Sequence, residues 1–199
     1  MKRKGADYHH GDLRRALLDA TLALAEEYGA AGVTLRQAAE RAGVSQTAPY
    51  RHFADKTAML AAVSEEGFRL LYARMLAVSQ AARPMRQIAA WAACYVEFAV
   101  THTAYFRLMF GQGSAQKSTS IALQAAARDT YQLLFQTVKK RVKADPRQLA
   151  LEVWSLAHGM AVLAVDGQTR FLGQPPANMA EAAQAAVVAL LAGRHRAVP

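Results

Sequence analysis

Residues 34–53 have the sequence Thr-Leu-Arg-Gln-Ala-Ala-Glu-Arg-Ala-Gly-Val-Ser-Gln-Thr-Ala-Pro-Tyr-Arg-His-Phe, and this stretch decides the fold. Thr34 and Gln37 have the spacing of a capping box, which predicts the start of a helix. Gly43 predicts the end of that helix, because glycine adopts the left-handed conformation at little steric cost. A second helix is expected over residues 45–53, capped by the serine at its start. The stretch therefore predicts a helix-turn-helix.

The flanking sequence favours DNA binding over an ordinary helical hairpin with a polar outer face. Residues 12–28 carry apolar side chains at helical spacing and end at Gly29, which predicts an amphipathic helix before the motif. Asp55 can cap a following helix, and Lys56 in its first turn can neutralise a phosphate. A short helix that presents hydrogen-bond donors fits the major groove of DNA.

Three segments between residues 11 and 56 carry a family pattern. They are Gly11-Asp-Leu-Arg-Arg-Ala-Leu-Leu-Asp-Ala-Thr, Thr34-Leu-Arg-Gln-Ala-Ala-Glu-Arg-Ala-Gly-Val-Ser and Pro49-Tyr-Arg-His-Phe-Ala-Asp-Lys. Together they resemble the TetR family of bacterial transcriptional regulators. A weaker resemblance, through Trp154-Ser-Leu-Ala-His-Gly and Tyr105-Phe-Arg-Leu-Met-Phe, is to a TetR subgroup with a Trp-His-Gly motif in its C-terminal domain.

The resemblance implies two sets of DNA contacts. Base edges would be contacted by Ser45, Gln46, Thr47 and Ala48, and phosphates by Thr34, Arg36, Tyr50, His52 and Lys56. Ala48 and Pro49 depart from the family pattern, which often has a polar residue followed by Leu or Ile. Proline removes a backbone N–H and disfavours helix at the residue before it. We therefore expect the second helix of the motif to start late or to be distorted.

The whole chain is predicted to be all-α, because alanine is abundant and β-branched residues rarely alternate. We expect about nine helices, and we divide the chain into three regions. Residues 1–10 would form a basic arm, residues 11–71 a three-helix DNA-binding domain and residues 72–199 a ligand-binding and dimerisation domain. The arm, with Lys2-Arg3-Lys4, could follow the DNA backbone or enter the minor groove, or it could be a solubilising tail.

The C-terminal region is rich in aromatic side chains between residues 91 and 135. Most of them fit plain core packing, but a cavity among them would suit a small lipophilic or aromatic ligand. Because the C-terminal domain of the family commonly binds a small-molecule inducer, the resemblance implies a set of pocket residues. They are Trp91, Tyr95, Phe98, Phe110, Tyr131, Trp154 and His158.

Residues 146–171 and 178–192 predict two helices that are unusually small and apolar over most of their surface. Such helices are normally covered on more than one side. Two from each of two chains would make a four-helix dimer interface, whereas a monomer would need the last helix to be wholly internal. We favour a homodimer, which predicts a roughly palindromic operator in double-stranded DNA.

Composition excludes several other functions. The net charge is +9, but residues 1–56 contribute only +2 of it, so global charge does not locate the DNA face. Cys94, the single cysteine, cannot form an intramolecular disulfide and fits a reducing cytoplasm. Charges interrupt the apolar runs, so no membrane span is expected. Without a phosphate loop, nucleophile motif or metal-ligand set, we predict no enzyme, no cofactor and no metal.

The sequence thus predicts a homodimeric transcriptional repressor released from its operator by a small ligand. Two alternatives remain open. One is a non-specific architectural DNA-binding protein that uses the positive charge of the chain. The other is a helical small-molecule binding protein without an operator.

Overall fold

The structure is a computed structural model that describes residues 10–81, 86–111, 120–142, 144–173 and 178–196. Every regular element in these residues is helical, which confirms the all-α prediction. The eight α-helices are α1 (His10–Tyr28), α2 (Leu35–Arg41), α3 (Lys56–Ala81), α4 (Gln87–Thr101), α5 (Thr103–Phe110), α6 (Ile121–Arg141), α7 (Pro146–Val165) and α8 (Met179–Arg196). Short 3-10 segments are formed by Ala30–Gly32, Ala48–Arg51 and Arg170–Leu172. The predicted basic arm lies outside the described residues except for its last residue.

The predicted signals at the start of the motif are confirmed. The Thr34 hydroxyl accepts a hydrogen bond from the Gln37 backbone N–H at 3.2 Å, so α2 begins with a capped turn. Gly43 has φ of +69°, the left-handed conformation that a glycine adopts without a Cβ clash. The N–H of Val44 then bonds to the Ala39 carbonyl at 3.0 Å, which folds the chain back after α2.

The predicted second helix of the motif is wrong in length. Instead of residues 45–53, only a single 3-10 turn forms, Ala48–Arg51, and Ser45 does not cap it. Thr47 occupies the cap position, but its side chain makes no capping hydrogen bond to the backbone of the turn. Pro49 explains the late start, because its ring suits the first turn of a helix and disfavours helix before it.

The α3 helix joins the two halves of the molecule. Asp55 caps it as predicted, accepting a hydrogen bond from the Ala58 N–H at 2.7 Å. The helix then continues without interruption to Ala81 and packs against α1 at one end and against α4, α5 and α6 further along. The expected domain division after residue 71 falls within this helix and remains a prediction.

The centre of the C-terminal half is α4, which packs against α3, α7 and α8. Its Trp91, Tyr95 and Phe98 side chains are almost fully buried. Asp145 caps α7 through a hydrogen bond from the Gln148 N–H at 3.3 Å, as its spacing indicates, and does so with a left-handed backbone at φ of +45°.

The bounds of α7 and α8 differ from the predicted ranges 146–171 and 178–192. α7 ends at Val165, because Gly167 takes a left-handed conformation with φ of +69° and the Gln168 N–H bonds back to the Leu163 carbonyl at 2.9 Å. α8 continues to Arg196.

In the part of the chain that the structure describes, one helix is long and apolar enough to cross a membrane, which differs from the expectation that none would be. This helix is α7, with a mean hydropathy of 1.4 over its most apolar window. An interior helix meets the same condition, and α7 packs against α4, α6 and α8.

Candidate nucleic-acid interface and ligand cavity

The candidate DNA-contacting surface is residues 45–52, which we call the recognition segment. Ser45, Gln46 and Thr47 are exposed, and the hydroxyls of Ser45 and Thr47 lie 3.3 Å apart. Tyr50 is 63% exposed, so its ring stands clear of the protein core. Arg51 is exposed beside it, and the predicted contact set left out this cation.

Two members of the predicted contact set are turned away from solvent. Ala48 is buried, so its side chain does not reach base edges in this conformation, contrary to the expectation. His52 is half-buried, and its Nε2 has no hydrogen-bond partner among the described residues. In this single tight turn Ala48 and Pro49 pack towards the core, whereas Tyr50 and Arg51 face solvent.

The predicted phosphate-contacting residues outside the recognition segment differ in their exposure and in the hydrogen bonds that their side chains already make. Arg36 is exposed on α2. The Thr34 hydroxyl is already occupied by the α2 cap and by a 2.7 Å hydrogen bond to the Gln37 amide oxygen. Lys56 is half-buried, and its Nζ donates to the Ala31 carbonyl at 2.8 Å. Lys56 must therefore share or exchange this bond to contact a phosphate.

A second candidate site is a cavity of about 310 Å³ in the C-terminal half, which we call the aromatic cavity. It is lined by Phe68, Trp91, Tyr95, Phe110, Ala127, Thr130, Tyr131, Leu151 and Trp154. Five of the seven predicted pocket residues are in this lining. The other lining residues, Phe68, Ala127, Thr130 and Leu151, were missed.

The two remaining predicted pocket residues lie elsewhere. Phe98 is buried and stacks on His102 with ring centroids 5.0 Å apart, outside the cavity lining. His158 lies behind the cavity, where its Nδ1 is 2.9 Å from the Tyr95 hydroxyl. Burial lowers the pKa of His158 and raises the pKa of Tyr95, so both groups are neutral at pH 7.

The lining of the aromatic cavity contains no residue that is charged at pH 7. The lining residues that carry a polar side-chain group are Trp91, Tyr95, Thr130, Tyr131 and Trp154. Thr130 already donates to the Ala126 carbonyl at 2.8 Å. An apolar wall with few polar groups suits a lipophilic or aromatic molecule.

A second cavity of about 290 Å³ lies next to the aromatic cavity, between α5 and α7. It is lined by Phe106, Arg107, Phe110, Gly111, His158, Val162, Val165 and Asp166. Phe110 belongs to both linings, and its ring centroid is 4.9 Å from that of His158. The Phe110 ring and the Tyr95–His158 pair therefore separate the two cavities.

The α5 helix connects the cavities to the N-terminal half. On its other face, Met109 and Tyr105 press against Gly67 of α3, where a Cβ would lie 2.7 Å from the Met109 sulfur and 3.0 Å from a Tyr105 ring carbon. α5 also packs against α1. Arg15 of α1 forms an ion pair with Asp19 on the same helix and another with Glu66, which links α1 to α3.

The α7 and α8 helices present an apolar face to solvent. Leu163 is 40% and Val188 is 51% exposed, and Ala185, Ala189 and Ala192 are exposed beside Val188 on α8. The buried side chains of α8 are Met179, Ala183 and Val187. The monomeric alternative requires the last helix to be wholly internal, whereas α8 exposes these side chains in the single chain.

Among the described residues, no group of three or more His, Cys, Asp or Glu side chains could hold a metal ion. Cys94 is buried, and burial raises the pKa of its thiol, which favours the unreactive protonated form.

Two family models match most of the chain. Residues 17–63 match the model described as bacterial regulatory proteins of the tetR family, and residues 88–190 match the one described as a tetracyclin repressor-like C-terminal domain. The resemblance to the Trp-His-Gly subgroup stays a prediction. No curated protein matches the sequence.

Solved structures share the fold along nearly the whole chain. A protein of unknown function from Rhodococcus sp. RHA1 is 32% identical, with a TM-score of 0.77 over 92% of this chain and 97% of that one. The TetR-family regulator PfmR from Thermus thermophilus is 19% identical, with a TM-score of 0.68 over 86% of this chain and 96% of that one. SmeT, the repressor of the Stenotrophomonas maltophilia efflux pump SmeDEF, is 22% identical, with a TM-score of 0.64 over 89% of each chain. SmeT is also known in complex with triclosan.

Proposed function

The chain belongs to the TetR family of bacterial transcriptional regulators, and on that premise we propose that it is a homodimeric repressor released from a palindromic operator by a small lipophilic or aromatic ligand. One observation carries this proposal. The same chain combines an exposed, polar recognition segment with an apolar cavity, and α5 contributes Phe110 to the cavity while packing against both α1 and α3.

The recognition segment supports sequence-specific binding through a small number of donors. Gln46 and Thr47 are exposed at the start of the turn, which is the part that approaches base edges in helix-turn-helix proteins. Tyr50 in the turn and Arg36 on α2 are exposed, so they can contact phosphates and fix the register. Ala48 is not part of this proposed set, because it is buried.

The exposed apolar face of α7 and α8 supports the dimer. Covering Leu163, Val188 and the neighbouring alanines with the same face of a second chain removes apolar surface from water in a two-fold arrangement. A dimer would also raise the affinity for DNA of such a short recognition segment, because two copies contact two half-sites at once.

We expect the ligand to release the protein from DNA by moving α5. A molecule in the aromatic cavity contacts Phe110, and a shift of α5 is transmitted by Tyr105 and Met109 to α3 at Gly67. Only a ligand that binds one conformation more tightly than the other can change the spacing of the two recognition segments. Members of this family are regulators and not enzymes, and we place this chain in the cytoplasm with its DNA.

Selection of duplexes from a random-sequence library by the purified protein tests the proposal. We would use about 150 mM salt, because non-specific phosphate binding weakens steeply as salt rises. The proposal predicts enrichment of an inverted repeat. Retained DNA without an enriched sequence would favour an architectural DNA-binding protein. No retention, with high affinity for small apolar molecules, would favour a binding protein without an operator.

A further inference from the structure

The wall between the two cavities is thin, and the cavities differ in chemistry. The aromatic cavity has no charged lining residue, whereas the second cavity has Arg107 and Asp166 at its edge. Phe110 lines both, and the Tyr95–His158 hydrogen bond lies beside it. Because Phe110 is common to both linings, displacement of its ring would bring an apolar compartment next to one with Arg107 and Asp166 at its edge.

Arg107 is only loosely held. Its Nη2 donates to the Val165 carbonyl at 3.3 Å and lies 3.8 Å from the Asp166 carboxylate, which is beyond hydrogen-bond distance. The side chain is 61% exposed, and within the described residues no partner is found for its Nε or Nη1. A guanidinium has five N–H donors in a fork that matches a carboxylate, and the described residues use only a small part of this capacity.

We propose that the two cavities form one ligand site for an amphipathic anion, with the apolar body in the aromatic cavity and a carboxylate at Arg107. This inference rests on the proposed function, because it names the chemical class of the effector. The apolar body gains affinity by leaving water, and the carboxylate gains charge-assisted hydrogen bonds that a neutral group cannot make. Asp166 is the internal competitor of the carboxylate for the same guanidinium.

Matched ligand pairs test the proposal directly. ω-Phenylalkanoates with three to eight methylene groups are compared by calorimetry with the ω-phenyl alcohols of the same length, at pH 7.5. The two members of a pair differ only in the charged end. We expect the acid to bind about tenfold more tightly than the alcohol at the chain length that reaches Arg107, and less advantage at shorter lengths.

Three variants locate the anion. Arg107→Gln should weaken binding of the acid about tenfold and change binding of the alcohol less than about twofold. Asp166→Asn removes the competitor and should strengthen acid binding. Arg147→Gln is the matched control, because Arg147 is exposed in the first turn of α7, at the opposite end of that helix from Asp166. Its effect on both ligands should be negligible.

Equal affinities for acid and alcohol, or an acid preference that survives in Arg107→Gln, would overturn the inference. Failure of every ligand in the series to bind would overturn it as well. None of these results depends on DNA. If the protein selects an inverted repeat but fails the ligand-binding tests, only the inference about the ligand is contradicted. If it passes the ligand-binding tests but selects no DNA sequence, only the proposed function is contradicted.

Discussion

The Tyr95 hydroxyl and His158 Nδ1 lie 2.9 Å apart and form a hydrogen bond between α4 and α7. Burial raises the pKa of Tyr95 and lowers that of His158, so this is a bond between two neutral groups at pH 7. Because it lies at the boundary of the two cavities, it fixes the wall on which the Phe110 ring packs.

Removing this hydroxyl should destabilise the protein. Tyr95→Phe leaves the half-buried imidazole of His158 without its partner, and we expect the free energy of unfolding to fall by about 1 kcal/mol. Urea denaturation followed by circular dichroism measures the change. Tyr72→Phe on α3 is the control, since no hydrogen bond of the Tyr72 hydroxyl is found within the described residues. Equal losses in the two variants would contradict the role of the Tyr95–His158 bond.

Acid should destabilise the fold through His158. Its folded-state pKa lies below the ordinary value of 6.5, so the unfolded chain takes up the proton first. Above pH 6.5 the imidazole is neutral in both states, so His158 does not change the free energy of unfolding with pH. As the pH falls below 6.5, proton uptake by the unfolded chain lowers the free energy of unfolding by at most about 1.4 kcal/mol per pH unit. The urea midpoint measured between pH 7.5 and 5.5 should fall less in His158→Gln than in wild type. The remaining slope includes His102, whose pKa burial also lowers. Identical slopes in both proteins would contradict this assignment.

Gly67 should tolerate a side chain poorly. A Cβ at this position meets the Met109 sulfur at 2.7 Å and a Tyr105 ring carbon at 3.0 Å, so the Met109 and Tyr105 side chains must shift from their positions. We expect Gly67→Ala to lower the free energy of unfolding by about 1 kcal/mol, despite the better helix propensity of alanine. Gly193→Ala, with open space around its Cβ, should be neutral or stabilising. Thermal unfolding of both variants measures the difference, and stabilisation by Gly67→Ala would show that the contact is not tight.

Substitutions in the recognition segment should distinguish residues that contact bases from residues that contact phosphates. Gln46→Ala should relax the preference at one base position, because a bidentate amide contact is lost there. Tyr50→Ala should weaken binding to all sequences to a similar extent, because a phosphate contact carries no sequence information. Binding of each variant to a panel of single-base operator mutants distinguishes the two. A marked change of preference in Tyr50→Ala, or uniform weakening in Gln46→Ala, would reverse the assignment.

The local features of the fold were predictable because their causes are local. Thr34 and Gln37 form a cap through side chains three residues apart, and Gly43 ends α2 through its own backbone conformation. The shortened recognition turn was only partly predictable. Pro49 indicated a late start, but the sequence did not show that a single turn would bury Ala48.

The cavity was predictable in its chemistry and only partly in its lining. Phe98 is seven residues from Trp91 and lies on nearly the same face of α4, but about 10 Å further along the axis, beyond the cavity. Helical spacing predicts a face and does not show where a cavity ends. Phe68 was missed because it lies on α3, far from the aromatic cluster in sequence, and tertiary packing of α3 against α6 brings it there.

The most direct test of a dimeric, site-specific regulator is to repeat the DNA selection with a variant that cannot dimerise. Leu163→Glu with Val188→Glu places charges on the exposed face of α7 and α8, and Ile121→Glu, at an 83% exposed position on α6, is the matched control. Wild type and the control should behave as dimers in light scattering and enrich an inverted repeat, with half-sites a whole number of helical turns apart. The double variant should be a folded monomer that loses the repeat. Retention of DNA without an enriched sequence by all three proteins, or an unchanged inverted repeat from a monomeric double variant, would contradict the account.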